Sequence, residues 1–185
     1  MIYKSHFNLT LMRHKESAAI LVGKGTEGRG RRAVTNVRFY DSVDDALLRF
    51  AVILARHEGQ WVFCRHRARD TWEVPGGHRE PGEAIDETAR RELYEETGAL
   101  DFDLRPLCVY SVSAPEHSGG EETFGLLYGA EVRRFEAELH CEIEKIVLLD
   151  ELPEKLTYPE THPKLIAEAA RRGFPPRDAG KGVSP

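Results

Sequence analysis

The sequence is poor in cysteine and has no long hydrophobic run. Its three thiols, Cys64, Cys108 and Cys141, form no CxxC pair, and their odd number argues against a closed disulfide framework. No apolar stretch approaches the roughly 18 residues that a bilayer-spanning helix needs. The apolar segment at 9–12 is too short for the core of a secretory signal. We therefore expect a soluble cytoplasmic protein with reduced thiols and no membrane contact.

An excess of positive charge is also absent. Lys and Arg number 26 against 31 Asp and Glu, so the formal net charge is −5. This balance disfavours nonspecific binding to a nucleic-acid polymer or to an anionic membrane. Hydrophobic residues make up 41% and charged residues 31% of the 185 residues, which is typical of a globular protein with a buried core. The length predicts one domain with an extension or tail.

The chain divides into three parts. Residues 1–35 are predicted to be an N-terminal extension of unclear structure, 36–172 the folded domain, and 173–185, rich in Gly and Pro, a disordered tail. Within the extension, residues 23–28 match the GxGxxG dinucleotide fingerprint. They lead into a basic segment rather than a helix, which favours a flexible loop over a cofactor site.

Hydrophobic patterning predicts several strands and two helices. The strands are Val37–Tyr40, a hairpin of 48–55 with 61–64, Trp72–Val74 ending at Pro75-Gly-Gly77, and later strands at 107–112, 123–132 and 146–149. The helices are 84–97, closed by Gly98, and 162–172. Strands with two separated helices predict a mixed sheet between helical layers.

The first helix has two faces. Ile85, Ala89 and Leu93 recur every four residues and form a stripe that packs on the sheet. On another face Glu92, Glu95 and Glu96 sit at i, i+3 and i+4, where side chains are neighbours.

Such a cluster is electrostatically unfavourable. The carboxylates repel one another near the helix C-terminus, where the helix dipole already disfavours negative charge. Arg91 can relieve part of this through Glu87 and Glu95, each four residues away. Two interpretations follow: a solvated acidic face, or carboxylate ligands of a hard cation such as Mg²⁺.

The surrounding motif favours the second interpretation. Gly77, Glu83 and the run Arg91–Ala99 reproduce the pattern GX5EX7REUXEEXGU, where U is aliphatic. Over residues 50–172 the chain resembles the Nudix hydrolases. The resemblance implies an α/β fold, specifically an α/β/α sandwich around a mixed sheet, with the motif (the Nudix box) forming a loop–helix–loop.

The resemblance also implies a metal site. Glu92, Glu95 and Glu96 would bind Mg²⁺, for which Mn²⁺ could substitute, together with the carbonyl of Gly76. Glu83 would be an accessory ligand or a partner of Arg91, which would orient the carboxylates. Glu92 is the first candidate for the base that deprotonates the attacking water. Some members of the family use a glutamate outside the box, and the candidates here are Glu116, Glu121, Glu122, Glu142 and Glu144.

Substrate contacts are predicted on both sides of the box. His66, Arg67 and Arg69 could reach substrate phosphates, although a solvent-facing basic turn is an equal interpretation. Phe124 is the candidate for stacking a nucleobase. Trp72 and Tyr128 are further aromatics for which, as for Phe124, core packing is favoured.

Two features bear on the substrate. Segments 66–78 and 152–159 resemble bacterial mutator-type nucleoside triphosphate pyrophosphohydrolases, which release pyrophosphate from (d)NTPs, including oxidised ones such as 8-oxo-dGTP. Pro115, 16 residues past the box, resembles a marker of ADP-ribose pyrophosphatases, so ADP-ribose comes second. A dinucleoside polyphosphate is the other alternative substrate. A nucleotide-sensing module without catalysis comes third because the box is intact. The partner would be a small nucleotide, and both a monomer and a homodimer remain open.

Overall fold

A mixed β-sheet forms the centre of the computed structural model, which describes residues 35–113, 120–139 and 142–175. Its strands are β1 (Asn36–Tyr40), β2 (Leu48–His57), β3 (Gln60–His66), β4 (Gly76–His78), β5 (Ala99–Ser113), β6 (Thr123–Phe135) and β7 (Ile143–Leu149). The helices are α1 (Ile85–Thr97) and α2 (His162–Arg171), with a short 3₁₀ turn at Asp45–Leu47. The strand order is β1-β5-β6-β2-β3-β7, with β4 paired to β2.

Each face of the sheet is covered by one helix. Side chains alternate between faces along a strand, so Ile53 of β2 packs in a cluster with Leu93 of α1. Its neighbour Leu54 packs in a second cluster with Leu165 of α2. The α/β/α sandwich predicted from the sequence is therefore confirmed, with β2 and β6 as a parallel central pair.

The hairpin of β2 and β3 was predicted correctly, and it turns at Glu58 and Gly59, both with positive φ. The strand predicted at Trp72–Val74 is different in the structure. Trp72 and Glu73 form only isolated bridges, to Leu156 and Cys64.

The regular strand in this region is instead β4, which begins at Gly76 and pairs with β2. Gly76 makes this pairing possible because a Cβ on it would lie 2.6 Å from the carbonyl oxygen of Ala51. The sequence predicted that the Pro-Gly-Gly segment ends a strand. In the structure its two glycines instead begin β4.

The C-terminal end of the domain also differs from the prediction. Phe174 is 1% exposed and packs with Leu165 in the second cluster. Its ring fills the space beside Gly129, where a Cβ would meet it at 2.6 Å. The domain therefore extends at least to Pro175, three residues into the predicted tail.

Several predictions concern residues outside the described ranges. These are the extension at 1–34 with its glycine motif, Pro115, Glu116, Cys141 and the rest of the tail at 176–185. In the part of the chain that the structure describes, no helix is both long and apolar enough to cross a bilayer.

Candidate active site

Helix α1 is held in place at both ends. At its start the carboxylate of Glu87 accepts a hydrogen bond of 2.8 Å from the backbone N–H of Ala84. At its end Gly98 adopts φ 72 and donates its N–H to the carbonyl of Tyr94. This left-handed conformation suits glycine, as the sequence predicted. Ile85, Ala89 and Leu93 are buried against the sheet, as expected, so the rotation of the helix is determined.

The side chain of Glu96 extends from α1 toward the strands that this helix covers. Its Oε2 accepts a hydrogen bond of 2.9 Å from the N–H of Gly76 and lies 3.7 Å from the thiol of Cys64. Burial raises the pKa of Glu96 to about 8, and the nearby carboxylates of Glu92 and Glu73 act in the same direction. Among the described residues no cationic side chain forms an ion pair with Glu96. A half-buried carboxylate in this position is therefore short of positive charge.

Arg91 connects the other acids of the box. Its Nε and Nη2 donate to Glu83 at 2.8 and 3.0 Å, while Nη1 donates to Glu92 at 2.7 Å and to Glu95 at 3.3 Å. These hydrogen bonds from Arg91 lower the pKa of Glu83 to about 2. Nη2 also donates to the carbonyl of His78 at 3.1 Å, which ties the loop to the helix.

One expectation about Arg91 is not met. The spacing predicted that it would pair with Glu87 as well as with Glu95. In the structure Glu87 instead accepts the hydrogen bond from Ala84 at the helix start. The free N–H groups of a first helical turn attract a carboxylate, which explains the difference.

The box residues fit a hard divalent cation by their chemistry. The donors available are carboxylate oxygens on one side of α1 and backbone at Gly76, which are the oxygen ligands that Mg²⁺ prefers. A cation bound beside Glu96 would favour its ionised form, which its surroundings in the structure disfavour. Among the described residues no three His, Cys, Asp or Glu side chains yet form a complete ligand group, and Glu92 and Glu95 both bond to Arg91.

Glu73 is an acid near the site that the sequence analysis missed. It is 8% exposed and pairs with Arg69 at 3.0 Å. Burial raises the pKa of Glu73, and the positive charge of Arg69 lowers it by less. Its backbone exchanges hydrogen bonds of 2.9 and 3.0 Å with Cys64. Nothing in the local sequence marks Glu73, because it comes toward Glu96 through Cys64, which bridges to Glu73 and contacts Glu96 32 residues away.

The predicted basic residues occupy different surroundings. Arg69 is paired with Glu73 and therefore lies close to the box acids. The ring of His66 contacts the carboxylate of Glu142 at 2.9 Å. The exposed Arg67 donates its backbone N–H to the carbonyl of Glu142 at 3.0 Å. The structure thus brings Arg69 toward Glu96 and directs His66 toward β7.

The predicted aromatic residues are mostly occupied by other contacts. Tyr128 is 1% exposed, and its hydroxyl donates to Asp86. The ring of Trp72 lies 5.4 Å from the guanidinium of Arg65 and 5.5 Å from the ammonium of Lys145. Phe124 is half-buried, with its ring centroid 5.8 Å from that of Tyr40.

The candidate bases outside the box also have partners. Glu122 accepts hydrogen bonds from Ser111 at 2.6 Å and Tyr40 at 2.8 Å. Glu144 pairs with Arg65 at 2.8 Å, and Glu142 pairs with His66. Glu121 is exposed and Glu116 lies outside the described residues. Glu92 is itself paired with Arg91, so these contacts do not select among the candidates, and Glu92 as the base stays a prediction.

A cavity of about 570 Å³ lies at the other end of α1, beside the loop Arg79–Ala84. It is lined by Arg49 and Arg79 as well as by Glu83. Arg79 is engaged with Asp45 at 2.9 Å and with the carbonyl of Glu83 at 2.6 Å. The cavity therefore adjoins the box loop rather than the carboxylate of Glu96.

Comparison with known proteins agrees with this geometry. The family model described as the NUDIX domain matches residues 45–169, which is most of the chain. The chain belongs to the Nudix hydrolase family. The α/β/α arrangement is accordingly the Nudix fold, and the loop–helix–loop from Gly77 to Ala99 is its box.

Two curated relatives of this Nudix chain have names that specify different substrates. YtkD of Bacillus subtilis, provisionally named an 8-oxo-dGTP diphosphatase, is 35% identical over 106 residues, covering 57% of this chain and 64% of that protein. An RNA pyrophosphohydrolase of Photorhabdus laumondii is 28% identical over 99 residues, covering 51% of this chain and 56% of the relative. The chain thus spans less than two thirds of the length of either relative.

Solved structures show the same fold. The Bacillus subtilis pyrophosphohydrolase BsRppH is 26% identical with a TM-score of 0.62, covering 76% of this chain and 92% of that one. A Nudix hydrolase of Nitrosomonas europaea, at 20% identity and a TM-score of 0.55, covers 67% and 89% and shows the fold alone.

Proposed function

We propose that this Nudix protein is a Mg²⁺-dependent hydrolase of a phosphoanhydride bond in a nucleoside-diphosphate-linked substrate. The preferred substrate is a (d)NTP, including oxidised forms such as 8-oxo-dGTP, and the products are the monophosphate and pyrophosphate. The observation that carries the proposal is Glu96, a half-buried box carboxylate without an ion-pair partner among the described residues, beside Glu92 and the backbone of Gly76. Similarity to YtkD supports the choice of substrate.

The box residues would divide the work among them. Glu92, Glu95 and Glu96, with the carbonyl of Gly76, would hold Mg²⁺ or Mn²⁺. When bound, the metal would lower the pKa of a water molecule and provide positive charge beside the phosphate oxygens. Glu92 is the first candidate to accept the proton of the attacking water. Arg91 holds Glu92 from one side and Glu83 from the other, so the acids keep their spacing.

Arg69 is the best placed of the predicted cations to contact the substrate phosphates. Its side chain is 39% exposed and pairs with Glu73, which is itself buried. A guanidinium can donate two parallel hydrogen bonds to a phosphate. His66 and Arg67 lie on the same connection but have their described contacts with Glu142. They remain predictions as outer phosphate contacts, as does Phe124 as a base contact.

A second candidate substrate is the triphosphorylated 5′ end of an RNA. Relatives named RNA pyrophosphohydrolase match this chain, including one at 28% identity. The overall charge of −5 disfavours general attraction to a polymer, and for this reason the small nucleotide is placed first. ADP-ribose, which the position of Pro115 in the sequence suggested, and dinucleoside polyphosphates follow.

One side-by-side experiment tests these alternatives. The purified full-length protein is incubated with the four dNTPs, 8-oxo-dGTP, ADP-ribose, a dinucleoside tetraphosphate and a 5′-triphosphorylated RNA oligonucleotide, each with Mg²⁺ or Mn²⁺. We expect the highest kcat/KM for a (d)NTP, with pyrophosphate as product and no turnover after chelation. If none of these compounds is hydrolysed, the hydrolase assignment is refuted. If the RNA is preferred, RNA takes the place of a (d)NTP as the proposed substrate.

A further inference from the structure

Arg79 lies in the box loop, at one of the five positions that the pattern GX5E leaves open. It is half-buried, whereas the three residues that follow it, Glu80 to Gly82, are exposed. They belong to a turn in which the N–H of Glu83 donates to the carbonyl of Glu80 at 3.1 Å. Gly82 has a φ of 84, and a Cβ on it would meet nothing within 4 Å. The tip of the turn is open to solvent, so the residues at its ends must hold it in place.

The side chain of Arg79 connects this loop to the 3₁₀ turn that precedes β2. Its Nε donates to the carbonyl of Glu83 at 2.6 Å, and its Nη1 donates to the carbonyl of Asp45 at 2.9 Å. Its Nη2 donates to the carboxylate of Asp45, also at 2.9 Å. The backbone N–H of Arg79 donates to the carbonyl of Arg49 in β2 at 2.9 Å. Because a guanidinium presents its N–H groups in a fixed plane, these bonds determine how the loop is oriented.

The 3₁₀ turn that receives Arg79 is formed by local hydrogen bonds. The carboxylate of Asp44 accepts the N–H of Ala46 at 2.9 Å, and the carbonyl of Asp44 accepts the N–H of Leu47 at 2.9 Å. Leu48, the first residue of β2, is buried in the same core cluster as the apolar stripe of α1. The turn is therefore continuous with the sheet, and Arg79 ties the exposed loop to it.

Glu83, at the other end of the loop, transmits this attachment to the box acids. Its carboxylate accepts hydrogen bonds from Nε and Nη2 of Arg91 at 2.8 and 3.0 Å, from the hydroxyl of Thr88 at 2.8 Å and from the N–H of Glu80 at 3.0 Å. Arg91 in turn donates to the carboxylate of Glu92 at 2.7 Å. Both oxygens of the Glu83 carboxylate are thus occupied, and the place of Arg91 depends on where the backbone of Glu83 lies.

We propose that Arg79 is a positioning residue for the metal ligands of the box. It acts through other residues: Arg79 fixes the carbonyl of Glu83, Glu83 holds Arg91, and Arg91 holds Glu92. This role rests on the proposed function, in which the box carboxylates bind the metal. It belongs to a residue that the family pattern does not specify, and it makes the turn at Asp45 part of the support of the site. Loss of the Arg79 guanidinium should therefore weaken metal binding.

The first test measures Mn²⁺ binding by the full-length protein, through the EPR signal of the free ion. Arg79→Met keeps most of the side-chain stem and removes the guanidinium. We expect its Kd for Mn²⁺ to rise about tenfold, the lower end of the range for residues that hold metal ligands. Arg79→Lys should recover only part of this loss, because an ammonium cannot replace a planar fork. An unchanged Kd in Arg79→Met would overturn the proposal.

Arg133→Met is the matched control. Arg133 also forms a fork with two acids, Asp101 and Asp103 of β5, at 2.6 Å each, and none of its described ion-pair partners belongs to the box. Its side chain is half exposed, and exposed ion pairs contribute little. We expect the Kd for Mn²⁺ in this variant to stay within about twofold of that of the unmodified protein.

A double-mutant cycle separates the positioning role from a general loss of stability. In the background of Arg91→Ala the connection from Glu83 to Glu92 is removed, so adding Arg79→Met should change the Kd for Mn²⁺ by less than about twofold. Each variant is measured well below its melting temperature, so that unfolded protein does not contribute. A rise of about tenfold in this background as well would overturn the proposal, because Arg79 would then act by another route.

A second observable does not require the double variant. The Nε–H of Arg91 donates to Glu83 and gives an NMR signal in isotope-labelled protein, which is assigned by its absence in Arg91→Lys. We expect this proton to exchange faster with water in Arg79→Met and at an unchanged rate in Arg133→Met. In turnover, Arg79→Met should lower kcat, with partial recovery at high Mg²⁺ concentration, and should change the KM for the nucleotide little.

The outcomes for this role and for the hydrolase function can be told apart. If Mn²⁺ binding weakens in Arg79→Met and no nucleotide is hydrolysed by the unmodified protein, the hydrolase assignment fails and the positioning role stands. If nucleotides are hydrolysed and Arg79→Met binds Mn²⁺ normally, the positioning role alone fails. If the unmodified protein binds no Mn²⁺, both fail.

Discussion

The carboxylate of Glu92 occupies the space that a side chain on Gly77 would need. A Cβ on Gly77 would collide with the carboxylate carbon and both carboxylate oxygens of Glu92. Two box residues 15 positions apart in the chain are thus in direct contact, glycine on the loop and carboxylate on α1. The glycine is therefore required by the acid beside it, not only by the backbone of the loop.

Replacing Gly77 with alanine should impair activity more than stability. The atoms that a methyl group meets are the mobile end of a side chain, so Glu92 can rotate away at small cost to the fold. We expect kcat to fall at least about tenfold, with the melting temperature nearly unchanged. Steady-state kinetics and thermal unfolding of the same preparation measure both.

Gly76→Ala is the matched comparison one residue earlier. Its methyl group meets backbone, at 2.6 Å from the oxygen of Ala51 and 3.0 Å from the Cα of Val52, so β4 must separate from β2. We expect a loss of about 1–3 kcal/mol of unfolding free energy in urea. If Gly77→Ala loses as much stability as Gly76→Ala and keeps its kcat, the contact with Glu92 has no functional role.

Arg91→Ala should reduce both stability and turnover. It removes the donor that Glu83, Glu92 and Glu95 share, and leaves three acids without their bridging charge. We expect a loss of about 1–3 kcal/mol, typical of hydrogen bonds to charged groups, and a fall in kcat. Arg91→Lys should recover only part of each, because an ammonium cannot form the same fork. Full recovery by lysine would show that charge alone is needed.

Glu96→Gln should abolish the response to metal. We expect Mg²⁺ to raise the melting temperature of the unmodified protein, since binding to the folded state stabilises it, and chelation to stop turnover. In Glu96→Gln this rise should disappear and kcat should fall at least about a hundredfold. In the presence of chelator the variant should be no less stable, because it removes a carboxyl whose ionisation is opposed by burial and by the carboxylates of Glu92 and Glu73.

The control for this experiment is Glu87→Gln on the same helix. Its amide oxygen can still accept the hydrogen bond from Ala84, at the end of α1 away from Glu96. Near-normal turnover and a normal Mg²⁺ response are expected. A Mg²⁺ response that persists in Glu96→Gln would mean that the metal binds elsewhere.

Glu168 should make the fold sensitive to acid. Hydrogen bonds from Arg171, and from Arg172 as well, lower the pKa of this buried carboxyl from 4.5 to about 2. A lowered native pKa gives stabilisation that is present above pH 4.5 and is lost as the pH falls toward 2. Glu168→Gln should cost about 1–2 kcal/mol at pH 7, discounted for the exposure of Arg171.

This difference between the proteins should shrink steadily below pH 4.5. Urea unfolding of both proteins between pH 7 and pH 2.5 measures it, with the exposed Glu154→Gln as a reference. A difference that stays constant over this range would show that the loss comes from packing and not from charge.

Local sequence was enough to predict the elements that carry the box. Ile85, Ala89 and Leu93 predicted the buried stripe of α1, and Gly98 predicted its end, because helical periodicity and capping depend on residues within one or two turns. The spacing of Glu92, Glu95 and Glu96 likewise placed three acids on one side of the helix. The two helical layers around a mixed sheet followed from the order of the elements.

Predictions failed where a distant partner decides the outcome. The Pro-Gly-Gly segment forms β4 because Gly76 packs against Ala51 of β2, and Phe174 joins the core because Gly129 leaves room for its ring. Neither partner is near in sequence, so local composition indicated a strand end and a tail.

The sequence by itself determined the family motif and the set of acids that define this protein. The tertiary structure alone decided which other side chains meet them. Glu73 lies near Glu96 because both contact Cys64, and Thr157 reaches the loop before the box through a backbone hydrogen bond to Trp72. Helical neighbours are determined by spacing along the chain, whereas these contacts depend on strand pairings that join residues far apart in sequence.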